Sequence, residues 1–77
     1  MATIFETPRA TTSVAKVIEI TAESGESFED AIQRGIAKAS ETVHEIRGAW
    51  VESQQVKVHE GKVVAYRVDL KVTFLLD

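Results

Sequence analysis

The sequence predicts an α+β domain in the order β-α-β-β. Three observations carry this. Residues 65–77, AYRVDLKVTFLLD, alternate apolar and polar side chains almost without a break, which is the period of a strand with one buried and one polar face. Residues 28–46 instead repeat apolar side chains every three or four positions, the period of an amphipathic helix. Ahead of the alternating run, His59-Glu60-Gly61-Lys62 carries the glycine that supplies positive φ in a tight hairpin turn.

Taken in order, Met1 to Ser13 holds the single proline, Pro8, and a Thr11-Thr12-Ser13 cluster. That is the composition of a poorly ordered N-terminal extension, and the folded domain is expected over 14–77. Val14 to Thr21 is short and β-branched, with Ile18 and Ile20 on one face, and reads as a first strand. Ala22 to Glu26 is a polar connection. Ser27 is placed to cap a helix, with Asp30 three residues on as a weaker form of the capping box. Glu26, Glu29 and Asp30 put negative charge at the positive end of the helix dipole. The apolar stripe Phe28, Ala31, Ile32, Gly35, Ile36, Ala39, Val43, Ile46 predicts about five turns, with Gly48 as the stop. Ala31, Gly35 and Ala39 keep that stripe small enough for a sheet to approach closely, although Gly35 costs about 1 kcal/mol in helix propensity.

Residues 49–58 predict a second strand with a change of phase. Val51 sits at an odd position, Val56 and Val58 at even ones. A one-residue slip of this kind points to a bulge near Ser53 to Gln55. In the last strand Tyr66, Val68, Leu70, Val72, Phe74 and Leu76 face the helix, and Arg67, Asp69, Lys71 and Thr73 face away.

With 77 residues and no cysteine, the chain forms one small core with no disulfide to staple it, which leaves oligomerisation as the usual remedy. A net charge of −3 with acids and bases interspersed lacks the basic stripe of a nucleic-acid interface. No apolar run approaches the ~20 residues of a membrane span, and no signal-peptide core opens the chain. A cytoplasmic protein without nucleic-acid or membrane partners is expected. There is no nucleophile with a partner base and no pair of carboxylates set for acid–base work, so no catalytic residues and no enzyme activity are expected. His44 and His59 read as surface residues, one on the late polar face of the helix and one in the turn.

The ordered set Val17-Ile18-Glu19-Ile20, Ala31-Ile32, Ile36-Ala37-Lys38-Ala39, Glu41-Thr42, Gly61-Lys62-Val63 and Val68-x-Leu70-Lys71-Val72-x-Phe74 resembles the dodecins over residues 14–77. The resemblance implies a three-stranded antiparallel sheet wrapped around one helix, and twelve copies in a hollow shell, a homododecamer. It also implies a storage flavoprotein that binds riboflavin or FMN in stacked pairs at subunit interfaces. In the family the stack rests on a tryptophan early in the second strand, and a glutamine on the third strand reads the isoalloxazine. Here those positions are Gly48 and Arg67.

Trp50, two residues beyond Gly48, shares its face in a regular strand and offers a displaced platform; the alternative is a tryptophan at a subunit interface. Arg67 can donate to a flavin carbonyl but cannot accept from a ring N–H; the alternative is an inter-subunit salt bridge with Asp69 or Glu52 of a neighbour. Gln54 and Gln55 are amides available to a ligand or simply solvated. Gly48, Trp50, Gln54 and Arg67 are therefore the cofactor-site candidates, and flavin binding is expected to be weakened or lost. The competing reading is a flavin-free shell that holds cations, calcium among them, or anions at symmetry-related sites. Ile46-Arg47-x-Ala49 and Tyr66-Arg67 look like a branch of the family associated with calcium. Calcium takes six to eight oxygens, and Asp69 with Glu52 would supply them only by symmetry, so no metal ligand is assigned within one chain.

Overall fold

The computed structural model describes residues 14–76; the expected N-terminal extension lies outside the described residues. The elements are β1 (Ala15–Ser24), α1 (Phe28–Ala39), β2 (Ile46–His59) and β3 (Lys62–Leu75). The three strands form one antiparallel sheet in the order β1-β3-β2. The alternating strand is thus the central one. β1 pairs with it from Ala15–Leu75 to Ser24–Tyr66, and β2 from Ile46–Phe74 to His59–Lys62.

The helix begins where the sequence places it. The Ser27 side chain accepts from the Asp30 N–H at 2.9 Å, and Glu29 and Asp30 fill the first turn. The Asp30 carboxylate does not close the capping box. It accepts instead from the Ser24 hydroxyl at 2.6 Å and from Arg34 Nε at 2.7 Å, fastening the end of β1 to the first turns of α1.

The helix ends earlier than its periodicity suggests, at Ala39 after 12 residues rather than near Ile46. Ser40 is the C-cap, and its hydroxyl donates to the Ile36 carbonyl at 2.8 Å, the side-chain competition for backbone groups that weakens helix interiors. Turns follow through Thr42, and the Val43 N–H still reaches the Ala39 carbonyl, which is why the apolar spacing continues past the true end. Glu45 then takes a positive φ of 61° and redirects the chain into β2. Gly48 is therefore a strand residue and not a helix stop, Ile46 opens β2, and His44 lies in the connection rather than on the helix.

The second strand is longer than the expected 49–58 and carries more than one irregularity. Register shifts fall between Ile46 and Gly48, between Val51 and Ser53, and at Lys57/Val58. The expected bulge is real but sits at Glu52, just before the predicted stretch. The hairpin turns at Glu60 and Gly61, both with positive φ (52° and 78°), the geometry whose twist matches the flanking strands.

The core is Ala31, Val68, Leu70 and Val72, with Ile18, Ile20, Ala22, Phe28, Ile32, Ile36 and Ile46 packed around it. Phe28 meets Tyr66 edge-on, with ring centroids 5.2 Å apart. α1 lies over β1 and β3 and scarcely touches β2. Its closeness to β1 depends on Gly35, where a Cβ would stand 3.0 Å from Ala22 Cβ and 3.4 Å from Leu70 Cδ1.

Gly35→Val is therefore expected to destabilise the fold by about 1–3 kcal/mol through overpacking, despite removing a helical glycine. Ser27→Ala is expected to cost about 1 kcal/mol through loss of the cap. Urea unfolding followed by circular dichroism measures both; a Gly35→Val protein as stable as the parent contradicts the close approach.

Candidate functional site on the outward sheet face

Because Val68, Leu70 and Val72 are buried beneath the helix, their neighbours along β3 face away from it. Cross-strand pairing then sorts the outward face into rows: Val17–Thr73–Gly48, Glu19–Lys71–Trp50, Thr21–Asp69–Ser53 and Glu23–Arg67–Gln55. Gly48, Trp50 and Arg67 share this face. Gln54 does not: it pairs with Val68 on the helix side, because the extra residue at Glu52 shifts the phase of β2. Gln55 is the amide in the Arg67 row.

Trp50 is half exposed, at 50%, and a Cβ built on Gly48 would meet nothing within 4 Å. The indole therefore stands beside an open stretch of strand surface. Lys71 and Arg67 are four residues apart on β3, roughly 13 Å along the strand. A ring stacked on Trp50 thus lies nearest Lys71, and Arg67 of the same chain reaches it only through a substituent.

Between the two cations is a fixed carboxylate. Asp69 accepts from Ser53 Oγ at 2.6 Å and from Thr21 Oγ1 at 2.9 Å, a polar rung across all three strands. The Ser53 hydrogen bond, then that of Thr21, holds its pKa below the ordinary 3.8 against a small opposing effect of burial, and Arg67 adds to the lowering. Glu23 pairs in register with Arg67 but turns to Lys57, 3.5 Å away. Among the described residues Arg67 makes no salt bridge.

A second feature went unread in the sequence. Two open grooves, about 480 and 360 Å³, run between β1 and α1, lined by Thr21, Gly35, Lys38 and Glu41 in common. Gly48, Trp50, Gln54 and Arg67 line neither. Beside them Asp30, held by Ser24 and Arg34, also has a lowered pKa, first through the Ser24 hydrogen bond. Among the described residues no three acidic, histidine or cysteine side chains come together as a metal site. No described helix is long and apolar enough to cross a membrane.

A carboxylate whose pKa is lower in the folded chain contributes stability that is present above the unfolded value and is lost as pH falls through the folded one. Ser53→Ala is accordingly expected to move the Asp69 pKa up toward 3.8 and to shrink the loss of stability on acidification. A carbon-13 titration of the Asp69 carboxyl group checks this; an unchanged midpoint contradicts the rung.

Comparison with known proteins agrees with this architecture. The dodecin family model matches residues 14–77. The chain is 37% identical over 62 residues to the calcium dodecin of Mycobacterium tuberculosis, covering 80% of this chain and 87% of that protein. A solved structure of that antigen, described as calcium-chelating with a novel calcium-binding site, superimposes with a TM-score of 0.73 at 38% identity, over 84% of this chain and 93% of the other. Dodecin from Streptomyces davaonensis gives a TM-score of 0.82 at 30% identity, over 87% and 98% of the two chains. A tryptophan-to-phenylalanine variant of Thermus thermophilus dodecin gives 0.81 at 32%, over 86% and 98%. A shared β-α-β-β chain, a three-stranded antiparallel sheet and a family match across the whole described domain have one meaning: the protein belongs to the dodecin family.

Proposed function

We propose that this chain is a binding and storage protein rather than an enzyme, working as a homododecameric shell in the cytoplasm and holding a planar ligand of the flavin class at contacts between subunits. The observation that carries this reading is the half-exposed Trp50 beside open Gly48 on the outward sheet face, with Lys71 in its row and Arg67 uncommitted to any acid among the described residues. The indole supplies a stacking surface displaced by one strand repeat from the family position, and Arg67 donates where an amide would both donate and accept. Both departures lower flavin affinity. A ring stacking pair adds about 0.5–1.5 kcal/mol beyond burial, so moving the platform weakens the site without abolishing it.

A second reading is favoured by the likeness to a calcium dodecin. In it the shell holds calcium, with carboxylates from several copies, because a single described chain offers no cluster of three. Asp69 is a poor sole ligand, since both its oxygens already accept hydroxyl hydrogen bonds.

Titration with riboflavin and FMN, read by quenching of Trp50 emission, separates the two. Quenching of the flavin's own emission by the parent protein that disappears in Trp50→Phe supports the flavin site. A colourless protein with unquenched emission, which takes up calcium in calorimetry after chelator treatment, supports the second reading and removes the first. Restoring the family residues with Gly48→Trp and Arg67→Gln is expected to tighten flavin binding about tenfold or more, one well-made hydrogen bond and one ring platform. Light scattering tests the assembly; a monomer in solution removes the shell.

A further inference from the structure

On the outward face Arg67 is flanked by two carboxylates, and each of them is bonded to something else. Asp69, two residues along β3, has one oxygen accepting from Thr21 and the other from Ser53. Glu23 stands directly opposite Arg67 in the β1–β3 register, the place from which a carboxylate pairs with a cross-strand cation. Its Oε1 lies instead 3.5 Å from Lys57 Nζ. Lys57 is on β2 and pairs with Ala65, so the Glu23–Lys57 pair crosses the central strand diagonally beside Arg67. Ala65, two residues from Arg67 and on its face, is only 8% exposed, as a residue under such a strap should be. The side chains of the pair are about half exposed, and an ion pair of that kind contributes little to stability. Its consequence is the direction in which Glu23 points. The Arg67 guanidinium keeps its five N–H donors clear of any acid among the described residues.

We infer that Lys57 is a positioning residue: by drawing Glu23 away it leaves Arg67 to take the terminal phosphate of a phosphorylated flavin, so that the outward face selects FMN over riboflavin. The inference rests on the flavin reading above and names the group that distinguishes one flavin from another. Spacing supports it first. A ring stacked on Trp50 lies in the Lys71 row, and Arg67 is two rows further, roughly 13 Å along β3. Arg67 therefore meets the end of a chain carried by the ring rather than the ring itself. Both flavins carry a ribityl chain, but only that of FMN ends in a phosphate, with a charge of about −1.5 to −2. The planar fork of a guanidinium fits phosphate in a bidentate pair. With Glu23 turned onto Arg67, the same phosphate would meet a neutralised cation and a like charge beside it.

The test is titration of the full chain with riboflavin and with FMN, read by the flavin's own emission and expressed as the ratio of the two dissociation constants. The parent is expected to bind FMN about tenfold more tightly. Lys57→Gln is expected to cut that preference about two- to fivefold, the range of an exposed ion pair, and Lys57→Arg to keep it. With Arg67→Gln the preference is expected to vanish, and adding Lys57→Gln to change nothing further. Inorganic phosphate is expected to compete with FMN and not with riboflavin. A preference that survives Arg67→Gln, or one that Lys57→Gln lowers equally with and without Arg67, shows that Lys57 or another cation meets the phosphate itself and overturns the inference. A parent that binds the two flavins alike, even one that takes up inorganic phosphate alone, overturns it too and leaves the flavin reading standing. A parent that binds neither flavin overturns both.

Discussion

A single 12-residue helix has to serve as the lid for three strands, and most of the molecule is arranged around that mismatch. The helix sits close to β1 because Gly35 presents no side chain to Ala22 and Ile20. The same closeness draws it off β2. The core is consequently small: Ala31, Val68, Leu70 and Val72 are its buried hydrophobic centre, and all but Ala31 come from the central strand. A domain of this size buries roughly 60% of its unfolded surface, and here part of the shortfall falls on β2, where Trp50, Val51, Val56 and Val58 stay exposed.

The outward face follows from the same geometry. With the helix on one side, every second residue of β3 is turned away from it, and the three strands display four cross-strand rows in which charge, hydroxyl and indole alternate. Asp69 ties the middle row together through Thr21 and Ser53. Those hydrogen bonds span all three strands, so they oppose a register slip that would turn every outward side chain inward. The Glu52 bulge has the opposite local effect: it sends Gln54 to the helix side while leaving Gly48 and Trp50 outward. One inserted residue thus decides which amide shares a face with Arg67.

Much of this was legible from residue pattern alone. The period of two in residues 65–75 placed the central strand and the side of it that is buried. Ser27 placed the start of the helix, and Gly61 the hairpin. Where reading failed, the cause was a local competition that periodicity cannot express. The stripe Ile36, Ala39, Val43, Ile46 keeps its spacing beyond the helix end because a turn continues the same rise for a few residues, while the Ser40 hydroxyl and the left-handed Glu45 end the helix proper. The site was less legible than the fold. Thr21 and Asp69 are 48 residues apart, and nothing in either segment announces that they meet; only the register of β1 on β3 brings them together. The bareness of β2 was hidden for a related reason, since the phase of its valines gives the side they face but not the width of the helix that would cover them.

The strand order carries a consequence for the order in which the chain can become structured. β3, the last element in sequence, is the middle of the sheet, and β1 and β2 each pair only with it. In a chain under synthesis the β1 segment and the α1 segment therefore have no sheet to join until β3 has been made. At about 5–20 residues per second, the roughly fifty residues that separate the end of β1 from the end of β3 impose a delay of a few seconds. Throughout that interval Ile18 and Ile20 have only the helix to shelter against. Since β1 and β2 pair only with β3, no ladder of this sheet can form before the central strand arrives.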